Sequence, residues 1–276
     1  MLKQRVLTAL VLIPLVVWGI LKLSTETLGL ILALFVVLGS WEWSRLIGLK
    51  SSVARVSYSM LVVVLLASTY FFSLKLAGIE LAIFLLAGAW WLIGTNWVFR
   101  YRGNTGLVGN DTLIGAIVGV LVLLPTWLAM THIHGFSDEG PYMLLFVMVL
   151  IWMADSGAYF AGRKFGKHKL APMVSPGKTI EGVVGGLVAA GIFSIIGAVN
   201  FDLPVLGVVG FILLSLVVVA FSIIGDLFES LFKRRVGVKD SGQLLPGHGG
   251  VLDRIDSLTA AAPIFALGLV MFEGVK

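Results

Sequence analysis

Apolar residues in this chain come in long runs of about 20, the length a helix needs to cross the ~30 Å hydrocarbon core. Nine such runs lie near 5–22, 27–47, 55–73, 79–99, 112–131, 141–161, 180–200, 204–228 and 256–273. The pattern predicts an all-α polytopic membrane protein with about nine transmembrane helices. Polar positions gather between the runs, and the two longest polar connections fall near 162–179 and 229–255. Both lie in the second half. Residues 1–140 therefore read as scaffold helices, and residues 141–276 as the region where function resides.

Composition agrees with the pattern. Hydrophobic residues make up 58% and charged residues 13%, against roughly 25% charged in soluble domains. The chain has no cysteine, which excludes disulfides, thiolate metal sites and a cysteine nucleophile. Lys3 and Arg5 precede an apolar run, as in a signal peptide. That run ends at Lys22 without a small-x-small cleavage site, so an uncleaved first helix is expected.

Charge placement orients the chain. With the N-terminus in the cytoplasm, 17 of the 20 Lys and Arg residues fall on the cytoplasmic side, leaving Lys22, Lys75 and Lys276 on the other. This follows the positive-inside rule and puts the C-terminus outside the cytoplasm after nine spans. The expected location is the inner (cytoplasmic) cell membrane. The net charge of +5 then faces anionic membrane lipids. No soluble module carries a basic patch, so nucleic acid is excluded as a partner.

The densest polar stretch runs from Ser230 to Asp256. Asp226 and Glu229 precede it, and Asp253 and Asp256, three apart, share one helix face. Between them Pro246-Gly-His-Gly-Gly250 breaks any helix and lets backbone N–H groups approach a ligand. Crowded carboxylates repel by roughly 4 kcal/mol per pair at 4 Å and an effective dielectric of 20. A divalent cation relieves this, and all-oxygen ligands suit magnesium. Pairing with Lys233, Arg234, Arg235 and Arg254 is the alternative.

A second polar stretch is Ser175-Pro-Gly-Lys-Thr-Ile-Glu-Gly182. It is no P-loop, because the required first glycine is Pro172. Thr179 is expected to cap the seventh helix and, with Lys178, to present N–H groups to a phosphate. Asp155 and Tyr159 share a face of span six, with Ser156 and Arg163 close by. The remaining polar residues have plainer readings. Glu42, between Trp41 and Trp43, reads as an interfacial anchor paired with Arg45. His132 and His134 read as solvated loop residues, and Gly115/Gly119 and Gly182/Gly186 as close helix contacts.

These stretches resemble the phosphatidate cytidylyltransferase family. The similarity is carried by the Ser-x-apolar-Lys-Arg start at Ser230, by Lys239-Asp240, and by His248-Gly249-Gly250 with Asp253, Arg254 and Asp256 in register. Ser175–Gly182 and the Ala-Asp-Ser-Gly-Ala-Tyr stretch around Asp155 are similar too. The resemblance implies transfer of a cytidylyl group from CTP to phosphatidate, giving CDP-diacylglycerol and pyrophosphate. It also implies magnesium, with a second cation open, and a homodimer is an open oligomeric state.

Phosphatidate brings its own ionised nucleophile, so positioning and charge neutralisation suffice. On that reading Asp226, Asp253 and Asp256 hold the metal. Lys239, Asp240 and Arg254 serve the reacting phosphates, with His248 as proton acceptor or hydrogen-bond donor. Ser175, Lys178, Thr179, Lys233, Arg234, Arg235, Gly249, Gly250 and Asp155 bind substrates. Two other classes stand beside this one. An ion transporter is disfavoured by the long polar connections. A related transferase acting on another lipid, such as a polyprenol, differs only in its acceptor.

Overall fold

The computed structural model describes residues 2–76, 78–103, 111–201, 203–242, 244 and 249–273, with side chains placed between Leu10 and Phe272. The described residues form nine helices: α1 (Leu2–Lys22), α2 (Thr25–Leu46), α3 (Ser52–Ser73), α4 (Ile79–Arg100), α5 (Thr112–Gly135), α6 (Gly140–Phe165), α7 (Ile180–Asn200), α8 (Val205–Arg235) and α9 (Leu252–Glu273). Eight of these, α2 to α9, are long and apolar enough to cross a membrane; the described apolar part of α1 is Leu10–Lys22. The all-α membrane architecture expected from the sequence is present.

Two helices run further than the apolar pattern suggested. α6 continues to Phe165 and α8 to Arg235, because neither polar extension contains a residue that stops a helix. At 31 residues and ~1.5 Å per residue, α8 is about 46 Å long and outruns the bilayer core. Gly237, at φ 70°, ends it. The N–H of Gly237 returns to the Arg234 carbonyl and that of Val238 to the Lys233 carbonyl, which satisfies the last-turn acceptors. The 162–179 connection is likewise more ordered than a loop. It folds into a hairpin of β1 (Lys169–Ala171) and β2 (Ser175–Thr179), pairing Lys169 with Thr179 and Ala171 with Ser175.

α9 occupies the middle of the bundle. Ala260, Ala261, Ala262, Phe265 and Ala266 are wholly buried, and the helix packs on α4, α5 and α8. Pro263 has no N–H, so the Thr259 carbonyl lacks its helical partner. The Trp91 indole and the Thr126 hydroxyl donate to it instead, at 3.1 and 3.2 Å. The same device joins the other early helices. Trp43 donates to the Gly115 carbonyl, Tyr58 to Ala116 and Trp127 to Gly29.

α6 and α7 meet through small residues. A Cβ at Gly186 would lie 2.9 Å from the Ala154 carbonyl, one at Gly182 would lie 3.0 Å from that of Ala158, and one at Gly185 would strike Ala161. Gly115 and Gly119 make similar contacts with Ile47, and with Tyr58 and Trp43. Both glycine pairs are close helix contacts, as expected. The histidines are not solvated, however. His134 is buried and bridges Thr25 Oγ1 and the Ile20 carbonyl, tying α1 and α2 to α5. His132 meets Glu80 at 2.6 Å. Helix α5 extends through Gly135, which carries both rings back between neighbouring helices.

Candidate active site

The site is set by how closely α8 approaches α9. A Cβ at Gly225 would lie 2.5 Å from the Asp256 carbonyl and 3.3 Å from Ala260. The next residue is Asp226, so the crossing brings Asp226 and Asp256 to one level. Along α8, Asp226, Glu229, Ser230 and Lys233 follow at spacings that share a face.

Lys233 is the centre of a buried charge cluster. Its ammonium lies 2.8 Å from Asp253 Oδ1 and 3.2 Å from Glu229 Oε1, with all three side chains under one-tenth exposed. The contact to Glu229 is an ion pair without hydrogen-bond direction, since Glu229 Oε1 has no hydrogen-bond partner. Burial makes each member necessary: removing one partner of such a group strands the others and costs roughly 3–5 kcal/mol. Lys233 was expected to draw in a substrate phosphate, but its position inside the protein leaves it no surface for that.

Asp253 is equally committed. Besides Lys233 it accepts from the Ser241 N–H at 3.0 Å, the Ser241 hydroxyl at 3.0 Å and the Gly250 N–H at 2.7 Å. Gly249, at φ 80°, sits so close that a Cβ there would meet Asp253 Oδ2. Asp253 thus ties Ser241 to Gly250 and the start of α9. Its oxygens are spent on that task, which distinguishes it from the other two carboxylates expected to bind metal.

Asp226 and Asp256 are less saturated. Asp226 Oδ2 pairs with Lys178 at 2.7 Å, and its other oxygen lies 3.4 Å from the Ser230 hydroxyl. Asp256 Oδ1 accepts from the Ser257 N–H. Asp155, exposed on α6, is within electrostatic range of both Lys178 and Asp226, and Asp256 is within range of Asp226, Lys178 and Lys233. The single lysine of the β2 strand thus pairs with Asp226 of α8 and is felt electrostatically by Asp155 of α6 and Asp256 of α9. Among the described residues no three acidic or histidine side chains converge tightly enough to enclose a metal ion. The donor chemistry of Asp155, Asp226 and Asp256 still fits a hard cation, whereas Asp253 has no oxygen to give.

The β1–β2 hairpin delivers Lys178. Thr179 is buried and its hydroxyl accepts from the Gly182 N–H at 3.1 Å, which caps α7 as expected. Glu181 receives the backbone N–H groups of Lys167 and His168 and pairs with the His168 ring. Arg234 holds the other side of the hairpin, donating to the carbonyls of Val174 and Val238. Its guanidinium is thus partly engaged with backbone, and Arg235 stacks against Phe232. Lys239, Asp240 and Arg254 are exposed, and Ser175, at the start of β2, is half-buried. Tyr159 accepts from Arg163. His248 lies outside the described residues.

One residue of this region was missed from the sequence. Glu42 does not pair with Arg45 at an interface. It is 5% exposed and reaches from α2 to the start of α9, accepting from the N–H groups of Val251 and Leu252 at 3.0 and 2.9 Å. The positive end of α9 is a better partner than an exposed arginine. The available signal was an acid inside an apolar run, which in a membrane helix points to function by default.

The sequence profile of the Cytidylyltransferase family matches residues 3–272. The chain belongs to that family. A phosphatidate cytidylyltransferase of Pseudomonas aeruginosa is 46% identical over 267 residues, covering 96% of each chain. One from Haemophilus influenzae is 40% identical over 282 residues, covering 96% of this chain and 98% of its own. A third, from Staphylococcus saprophyticus, is 41% identical over 139 residues, about half of either chain. The enzyme class expected from the Ser230–Asp256 stretch is thus supported along nearly the whole chain.

Proposed function

We infer that the chain transfers the cytidylyl group of CTP to phosphatidate, releasing pyrophosphate and forming CDP-diacylglycerol. The observation that carries this reading is the Lys178–Asp226 ion pair beside the α8–α9 crossing that holds Asp256, in a chain of the cytidylyltransferase family. A phosphatidate oxygen attacks the α-phosphorus of CTP, and the bond from that phosphorus to the β-phosphate bridging oxygen breaks. The attacking phosphomonoester is already ionised near pH 7, so no side-chain base is required for activation. The protein's share is to position and to neutralise.

Lys178 supplies a positive charge for the phosphates, held in place through Asp226 and the α7 cap. Arg254 and Lys239 are further exposed cations for the substrate phosphates. Magnesium, when bound, screens the triphosphate and stabilises the charge that develops on the departing pyrophosphate. Asp226 and Asp256, with Asp155, would hold it; Asp253 instead keeps the segment folded. The reading also puts the site on the cytoplasmic face of the inner membrane, with the N-terminus inside, because 17 of the 20 Lys and Arg residues, those of the hairpin and the α8 extension among them, then fall on that side.

Purified protein given CTP, phosphatidate and magnesium should release pyrophosphate and CDP-diacylglycerol in equal amounts. Turnover of CTP only with a polyprenyl acceptor would overturn the reading. Exchange of labelled pyrophosphate into CTP without lipid should be absent, since direct attack forms no covalent nucleotidyl-enzyme. For orientation, a reporter fused after Arg102 should lie in the cytoplasm and one fused after Lys276 outside it.

A further inference from the structure

A helix N-terminus is usually capped by the residue just before it. α9 is capped from 210 positions away in the chain, by Glu42 of α2. Its carboxylate serves three donors: the N–H of Val251 on Oε1, and the N–H of Leu252 and the hydroxyl of Ser241 on Oε2. Two glycines make room for it, since a Cβ at Gly242 or Gly250 would collide with the carboxylate. Burying a carboxylate is costly, and a local cap would satisfy the same amides without it. What the distant cap adds is a fixed position for the start of α9 relative to α2.

That position is relayed to the reacting groups. Ser241 Oγ lies 3.0 Å from Glu42 Oε2 and also 3.0 Å from Asp253 Oδ2. A hydroxyl has one proton, so the two carboxylates share it. Asp253 continues to Lys233, and Lys233 to Glu229 on α8. One connected network thus links α2, Ser241, the start of α9 and α8, and Asp256 lies one turn beyond Asp253.

We propose that Glu42 is a positioning residue for cytidylyl transfer. It seats Ser241 and the first turn of α9 so that Asp256 and Asp226 face the same phosphates. The proposal rests on the function inferred above, and the two fail separately. Wild-type protein that does not make CDP-diacylglycerol overturns the function. The variants test Glu42 only against an active wild type.

Glu42→Gln keeps the volume but loses acceptor capacity. It should lower kcat about 10- to 100-fold, as small misplacements of reacting groups do, while KM for phosphatidate stays within about twofold. Amide hydrogen exchange should quicken locally over residues 249–258, with the rest of the protein unchanged. Ser241→Ala removes only the shared hydroxyl and should lower kcat about 3- to 10-fold, the worth of one hydrogen bond. The double variant should be little worse than Glu42→Gln, because the two act in one network. If Glu42→Gln does not fold, Ser241→Ala carries the test by itself. Unchanged kcat per folded molecule in Ser241→Ala, or losses in the double variant that simply multiply, would overturn the proposal.

Discussion

The two halves of the molecule handle polar groups in opposite ways. In α1 to α5, polar side chains mostly meet neutral partners one at a time. Trp43, Tyr58 and Trp127 each donate to one backbone carbonyl, and His134 bridges a threonine and a carbonyl. Around α8 and α9, charges are crowded: Glu229, Lys233 and Asp253 form one buried group, and Asp226 with Lys178 forms another beside Asp155 and Asp256. The first arrangement is what packing in a membrane requires. The second goes beyond it, because no packing problem is solved by placing five carboxylates near two lysines. The proposed function rests on that difference, and Glu42 is the one charge of the early helices that joins the later set.

Substitutions can break this contrast at several strengths. The largest loss of folded protein should follow Lys233→Met, which strands Glu229 and Asp253 and costs roughly 3–5 kcal/mol. Yield and thermal stability in detergent would show it, and near wild-type stability would mean the cluster is solvated. Gly225→Val should come next. Its side chain meets the Asp256 backbone rather than a movable side chain, so overpacking of about 1–3 kcal/mol is expected, together with loss of turnover as Asp226 and Asp256 separate. A stable but inactive Gly225→Val protein would sharpen the comparison further. The smallest effect should come from Trp127→Phe. It deletes one interhelical hydrogen bond worth about 0.6 kcal/mol on average in membrane proteins, and turnover per folded molecule should not change.

Much of this was legible in the sequence. Helix number and class followed from run length, because lipid permits few other spanning structures. The Thr179 cap of α7 was legible from residue type and position, and Lys178, Asp226 and Asp256 were singled out because charges are costly there unless used. Helix ends were less legible: the apolar pattern stops at the membrane surface, whereas α8 continues until Gly237 supplies a stop. The division of labour among the carboxylates was not legible at all. Asp253 and Asp256 share a face, and only the placement of Ser241, Gly250 and Lys233 shows that one accepts from all three while the other accepts from the Ser257 N–H. Glu42 was missed for the same reason, since its partners lie 199 to 210 positions away.

The central claim is that Asp226 and Asp256 act on the substrate phosphates while Asp253 and Lys233 hold the frame. The direct test is steady-state turnover of CTP and phosphatidate by purified Asp256→Asn, measured across magnesium concentration beside its thermal stability. Asparagine keeps the shape and removes the charge, so the account predicts a folded protein of near wild-type stability whose turnover falls by about two to three orders of magnitude, the scale of several kcal/mol of lost charge stabilisation. Near-normal turnover at limiting magnesium would contradict it, and would make Asp256 one more member of the structural charge network.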